Sequence, residues 1–123
     1  MQLTYLLFMI FLHICDDYYL QGWLASAKQK SWWEVNAPHE KYKRDYIIAL
    51  FMHSFSWSFM VMLPILYYCD FKVNSMYLSL LLLNLMVHMM TDHTKANLKK
   101  INLVQDQLIH LGQIIVTYML IFS

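Results

Sequence analysis

A chain of 123 residues with 59% hydrophobic and only 14% charged side chains carries too little charge to cover the surface of a soluble domain of its size. Its mean hydropathy of +0.40 fits one integral membrane domain over residues 1–123. The formal net charge of +1, with no basic stripe between aromatics, argues against a nucleic-acid partner and leaves the lipid bilayer as the natural environment.

The first apolar segment covers residues 3–25. It has no basic stretch ahead of it and no small-residue cleavage site, so it reads as a retained span and not as a signal peptide. His13 and Asp17 lie four residues apart, a spacing that stacks both on one helix face. Asp16, next to Asp17, is expected to point elsewhere, toward the interface. Tyr18, Tyr19 and Trp23 suit the headgroup zone. Cys15 and Cys69 show no metal-ligand spacing and read as small packing residues without a disulfide.

Residues 27–45 form the longest polar stretch, with Lys28, Lys30, Lys41, Lys43 and Arg44. Trp32 and Trp33 could anchor it on the membrane surface as an amphipathic, interfacial loop between helices 1 and 2; a solvated linker fits equally well. His39 follows Pro38 and reads as a surface histidine outside any site.

The second span, 46–68, is interrupted by His53, by Ser54, Ser56 and Ser58, and by Pro64, which a membrane helix tolerates. A tight connection over 69–74 leads to Ser75, a candidate N-cap for the third span, 75–93, which holds His88 and Asp92. Lys95, Lys99 and Lys100 precede the fourth span, 101–122, where Asp106 and His110 repeat the spacing in reverse order. The predicted fold class is therefore all-α, a four-helix transmembrane bundle. Apart from Lys72, the basic residues fall in the loops after spans one and three. Basic loops mark the cytoplasmic side, which predicts a multi-pass protein of the inner (cytoplasmic) membrane with both termini facing away from the cytoplasm.

This topology brings His13, Asp17, His53, His88, Asp92, Asp106 and His110 to a similar depth. Ionisable groups in hydrocarbon are costly and usually serve a function or have a partner. A shared divalent metal site accounts for all seven; the competing account is a set of interhelical hydrogen bonds that only holds the bundle together. Imidazole and carboxylate ligands suit zinc first, with manganese, iron or nickel as alternatives. Seven groups could hold one ion or two. The glutamates, Glu34 and Glu40, lie in the loop, whereas di-iron oxygen chemistry in helical bundles draws on glutamates in the core. Hydrolysis is therefore expected over oxidation, with His53, Asp92 and Lys95 as candidate catalytic residues. His53 or an aspartate is the expected base, and Lys95, three residues after Asp92, could bind a phosphate; a topology-setting lysine is an equal reading. Gln21 and Gln107 are candidates for orienting a ligand or substrate. Met86, Met89 and Met90 read as packing residues.

His13-x-x-x-Asp17-x-x-Leu20-Gln21, the isolated His53, His88-x-x-x-Asp92-x-x-Lys95 and Asp106-Gln107-x-x-His110 together resemble a small bacterial and phage family of integral membrane proteins. That family is similar in pattern to membrane-bound, metal-dependent hydrolases. The resemblance runs from the first span to the last. It implies four spans with these histidines and aspartates as metal ligands. The run Asp17-Tyr18-Tyr19-Leu20 departs from the family's usual aromatic followed by a smaller apolar residue.

Two functions follow as expectations. One is a metal-dependent hydrolase acting on a phosphoester of a lipid or lipid-linked substrate at the cytoplasmic leaflet. The other is a non-enzymatic membrane protein, an assembly or exclusion factor or a small pore, whose His/Asp cluster is structural. A proton or ion pathway is disfavoured by the nearly all-apolar outer halves of the spans. Four short helices bury little volume, so a homo-oligomer is also expected.

Overall fold

The computed structural model describes residues 2–123. Among them there is no strand, and six α-helices account for most of the chain: α1 (Gln2–Cys15), α2 (Leu24–Ala27), α3 (Lys30–Asn36), α4 (Asp45–Tyr68), α5 (Ser75–Ala96) and α6 (Leu103–Phe122). The four long helices close a ring in which α4 packs against α1 and α5, and α6 against α5 and α1. Tyr5, at the start of α1, lies 5.6 Å ring to ring from Tyr68 at the end of α4 and 5.2 Å from Phe122 at the end of α6. The run of neighbours therefore alternates up and down, and the opposite end of the bundle receives His13, His53, His88 and His110.

Capping fixes where the helices begin. The expected N-cap Ser75 is displaced by Asn74, whose side chain accepts from the Tyr77 N–H at 2.8 Å. Asn102 and Gln105 form a reciprocal capping box ahead of α6, satisfying backbone N–H groups that a helix start leaves unpaired. The connection between α4 and α5 turns on Asp70 and Phe71, both at positive φ. The stretch expected as an amphipathic, interfacial loop or a solvated linker after span one folds into α2, α3 and a single 3-10 turn. Trp32 and Trp33 meet there edge to face at 5.0 Å, and Trp23 lies 5.7 Å from Trp32.

Length and apolarity alone mark two helical stretches as able to cross a membrane, Gln2–Leu20 and Glu40–Tyr68. The other two long helices hold more polar side chains, yet they bury them. Asn84, His88 and Asp92 of α5 face inward, as do Asp106, His110 and Thr117 of α6. Leu82, Leu83, Met86 and Met90 on α5, and Leu108, Val116, Met119 and Leu120 on α6, are exposed. Met86 and Met90 are thus outward-facing. This distribution is the reverse of an amphipathic helix on a water-soluble protein.

The interior divides in two. Met9, Val61, Met62, Ile65, Tyr77, Leu80, Leu81 and Ile114 form an apolar core at one end. Trp57 belongs to that core and closes it against the polar end, where its ring stacks on His88 with centroids 4.2 Å apart.

Candidate metal centre

Each long helix brings its polar residues to the same end of the bundle for a local reason. On α1 the backbone widens into a π-helical turn at Asp16–Leu20, an irregularity common at functional sites. The wider turn brings Asp16 inward beside Asp17, correcting the expectation that Asp16 faces the interface. Asp16 is buried, accepts from the Ser56 hydroxyl at 2.8 Å, and receives the Gln21 amide. The i,i+4 spacing nevertheless holds in all three pairs: His13 Nδ1 lies 3.5 Å from Asp17 Oδ2, His88 Nε2 lies 3.5 Å from Asp92 Oδ2, and His110 Nε2 lies 3.3 Å from Asp106 Oδ1.

Asp92 is the hub. Its Oδ2 lies 2.6 Å from His53 Nε2 and 2.8 Å from Lys28 Nζ, and its Oδ1 lies 3.1 Å from His110 Nε2. His53 Nε2 and His88 Nε2 stand 3.1 Å apart. Two overlapping sets of ligand atoms, Asp17–His53–His88 and His88–Asp92–His110, each lie within 4.8 Å of one another. Asp17 Oδ1 is 3.8 Å from His53 Nε2.

Hydrogen-bond logic sorts these histidines into roles. The Trp57 Nε1–H donates to His13 Nδ1 at 2.7 Å. An indole N–H can only donate, so Nδ1 is unprotonated and the ring proton sits on Nε2, which gives it to Gln107 Oε1 at 2.9 Å. Gln107 in turn donates its amide to Asp106 Oδ2 at 3.0 Å. Both nitrogens of His13 are therefore engaged by protein groups, and His13 stands outside the two converging sets of ligand atoms. Gln107 orients His13 and Asp106, whereas Gln21 serves Asp16.

His110 is held from behind. The Gln113 amide donates to the Asn84 carbonyl at 3.0 Å and to Asn84 Oδ1 at 3.1 Å, which turns Gln113 Oε1 toward His110 Nδ1 at 3.1 Å. Nδ1 is thus the donor. Nε2 then faces Asp92 Oδ1 and Asp106 Oδ1 at 3.1 and 3.3 Å, so it carries a second proton or meets a cation. Among the described residues His53 Nδ1 and His88 Nδ1 meet no hydrogen-bond partner, so their outer nitrogens fix neither tautomer.

The rings of Trp57, His88 and His110 form a column, the two imidazoles stacked at 4.1 Å with 23° between their planes. The ligand atoms of His53, His88 and Asp92 stand closer still, with His53 Nε2 3.1 Å from His88 Nε2 and 2.6 Å from Asp92 Oδ2.

Lys95 shares the face of Asp92 and, with it, lines one small cavity. It lies at the rim, its Nζ 3.6 Å from Asp106 Oδ2 and its side chain about a third exposed at 34%. His39 stays outside the cluster and caps the 3-10 turn, its Nδ1 accepting from the Lys41 N–H at 3.2 Å. Cys15 and Cys69 are free thiols. The residues that sequence reasoning left out are Lys28, Trp57, Gln113 and Asn84. Trp57 is one turn from His53 and Gln113 one turn from His110, so helical spacing alone could have found those two.

Searches against protein-family models, curated proteins and solved structures give no match to this chain.

Proposed function

We propose that the chain is a four-span membrane protein holding one divalent ion, zinc foremost, on His53, His88 and Asp92, and that it hydrolyses a phosphoester of a lipid or lipid-linked substrate. The observation that carries this reading is the triangle of His53 Nε2, His88 Nε2 and Asp92 Oδ2, with edges of 3.1, 3.5 and 2.6 Å. Ligand atoms of a tetrahedral zinc, bonded at roughly 2.0–2.1 Å, stand roughly 3.3 Å apart. Three protein ligands with a fourth position open is the pattern of a catalytic zinc, whereas structural sites are closed.

One ion fits better than two. His88 belongs to both converging sets, and the Nε2 that faces His53 and Asp92 has a single lone pair. The wider cluster consists of residues that orient the ligands. His110 holds Asp92 Oδ1, Gln113 fixes His110, and Trp57 fixes His13 while stacking on His88. Such partners set ligand geometry as much as the ligands do. When bound, an ion of this kind supplies an activated water and polarises a phosphoryl oxygen. Asp17 Oδ1, 3.8 Å from His53 Nε2 and only about a tenth exposed at 10%, is placed to take the proton.

The outward apolar faces of α5 and α6 support the four-span reading, because in water they would leave most of two helix surfaces unsatisfied. Basic residues on the α1–α4 and α5–α6 connections support placing the site near the cytoplasmic leaflet of the inner membrane.

The test is phosphate release from a synthetic lipid phosphoester in mixed micelles. Zinc-dependent turnover is expected, lost on chelation and in Asp92→Ala and His88→Ala. Full activity in metal-free protein overturns the reading, as does zinc-loaded protein that releases no phosphate from any lipid phosphoester.

One contact favours a second reading. Lys28 already neutralises Asp92 at 2.8 Å, so the cluster is partly satisfied without metal and could serve only to hold the helices together. Purified protein that contains no metal and loses stability on each alanine replacement decides for that account.

A further inference from the structure

Lys28 enters the cluster from outside the four long helices, at the end of the four-residue α2. Its position is built, because Asn97, just after α5, accepts from the Lys30 N–H at 2.6 Å and donates to the Lys28 carbonyl at 3.1 Å. The Trp33 indole holds the Ala27 carbonyl at 2.7 Å. From this clamp the side chain reaches inward, and its Nζ stands 2.8 Å from Asp92 Oδ2 and 3.4 Å from His53 Nε2. Those are further edges of the figure drawn by His53, His88 and Asp92. The ammonium thus stands against Asp92 and His53, two of the three groups proposed to hold the ion, and shares Asp92 Oδ2 with it.

Beside it lies a cavity of about 60 Å³ lined by Asp17, Tyr18, Lys28, Asp92, Lys95 and Asp106 among others. A water needs roughly 10–15 Å³ by this measure, so the space admits a small polar solute and no large one. Its charge decides what can enter. The Asp17, Asp92 and Asp106 carboxylates outnumber the Lys28 and Lys95 ammonium groups by one. His110 Nε2, held between Asp92 and Asp106, brings the balance only to neutral when it carries its second proton, so the cavity without metal has no net attraction for an anion. A divalent ion makes the balance positive.

We propose that this cavity is an oxyanion subsite whose use depends on the metal. Lys28 pairs with Asp92 while the ion is absent and turns to a phosphate oxygen once the ion has taken Asp92. The inference rests on the metal reading above. It adds the chemical class of ligand, a phosphate or phosphoester oxyanion, and a residue that recognises it. Lys28 and the ion compete for one carboxylate, and Lys28 and Lys95 flank the anion.

Titration calorimetry of the detergent-purified full chain with zinc, and then with inorganic phosphate, tests this on wild type, Lys28→Met and Lys28→Gln. Wild type is expected to bind phosphate only after zinc loading. Both variants are expected to bind zinc at least as tightly as wild type, since a competing cation is gone, and to lose about tenfold or more in phosphate affinity. Zinc binding weakened in both variants, with phosphate binding unchanged, overturns the proposal and makes Lys28 a structural partner. Equal phosphate binding with and without zinc overturns it too. Wild type that takes up no zinc overturns the metal reading and this inference together, whereas zinc uptake with a Lys28-independent phosphate affinity overturns this inference alone.

Discussion

Asp92→Asn changes one atom's chemistry at the hub while keeping its shape. In the wild type both carboxylate oxygens face donors: Oδ2 meets His53 at 2.6 Å and Lys28 at 2.8 Å, and Oδ1 meets His110 at 3.1 Å. The amide keeps a single acceptor oxygen and presents an NH₂ where the second one stood. Whichever way it turns, one donor loses its acceptor and the Lys28 ammonium loses its counter-charge while staying mostly buried, at 16% exposure. Removing one partner of a buried ion pair costs about 3–5 kcal/mol, because the other charge is left uncompensated. That loss is expected for metal-free protein, measured in chelator by unfolding in mixed detergent–SDS micelles. Adding Lys28→Met to Asp92→Asn removes the stranded charge and is expected to restore about 1–3 kcal/mol, the coupling typical of residues in one network. A loss below about 1 kcal/mol in the single variant, or strict additivity in the double, refutes the assignment of Asp92 as the hub.

Gln113→Leu removes the acceptor that fixes His110 and leaves Asn84 without its amide donor. Zinc affinity is expected to fall, by less than the roughly 10–100-fold cost of losing a direct partner of a ligand, because Gln113 acts on Asp92 through His110, as read by competition with a chromophoric chelator. Trp57→Phe keeps an aromatic ring over His88 but strips the donor from His13, and about 1–3 kcal/mol of stability should go with it; unchanged stability contradicts the tautomer assigned to His13. Imidazoles bind metal only when neutral, so acidification should release bound zinc, and zinc uptake should expel protons; proton release measured in weakly buffered solution checks the sign. On the outer face of α5, Leu83→Arg places a charge where the account puts acyl chains. It should cost about 2.5–3.5 kcal/mol of insertion, seen as carbonate-extractable protein; full membrane retention contradicts a spanning α5.

Much of the helical plan could be read from composition and spacing. The expected spans 46–68 and 75–93 correspond to α4 over Asp45–Tyr68 and α5 over Ser75–Ala96, because long apolar runs bounded by Asn, Asp and Lys leave few other registers. Pairs four residues apart were legible for the same reason, since helix geometry alone brings His88 to Asp92 and Asp106 to His110. The end of the first helix was not. A π turn depends on how Asp16, Ser56 and Gln21 settle against α4, and no periodicity encodes that. Lys28 was hidden as well. Its approach to Asp92 is decided by Asn97 gripping the backbone of a segment 69 residues away in sequence, and one of several lysines in a polar stretch gives no sign of which turns inward. His13 shows the converse. Its spacing to Asp17 suggested a ligand, but Trp57 and Gln107, on two other helices, engage both ring nitrogens. Spacing along one helix reports which side chains share a face and is silent about what the neighbouring helices offer them.

The most direct test of the metal centre is the metal content of the full chain purified in detergent without chelator, compared with Asp92→Ala. The account predicts about one divalent ion per chain in the wild type, zinc before manganese, iron or nickel, and none in the variant. Wild-type protein that is folded, free of metal and unable to take up added zinc contradicts it, and leaves the His/Asp cluster with Lys28 as a purely structural network.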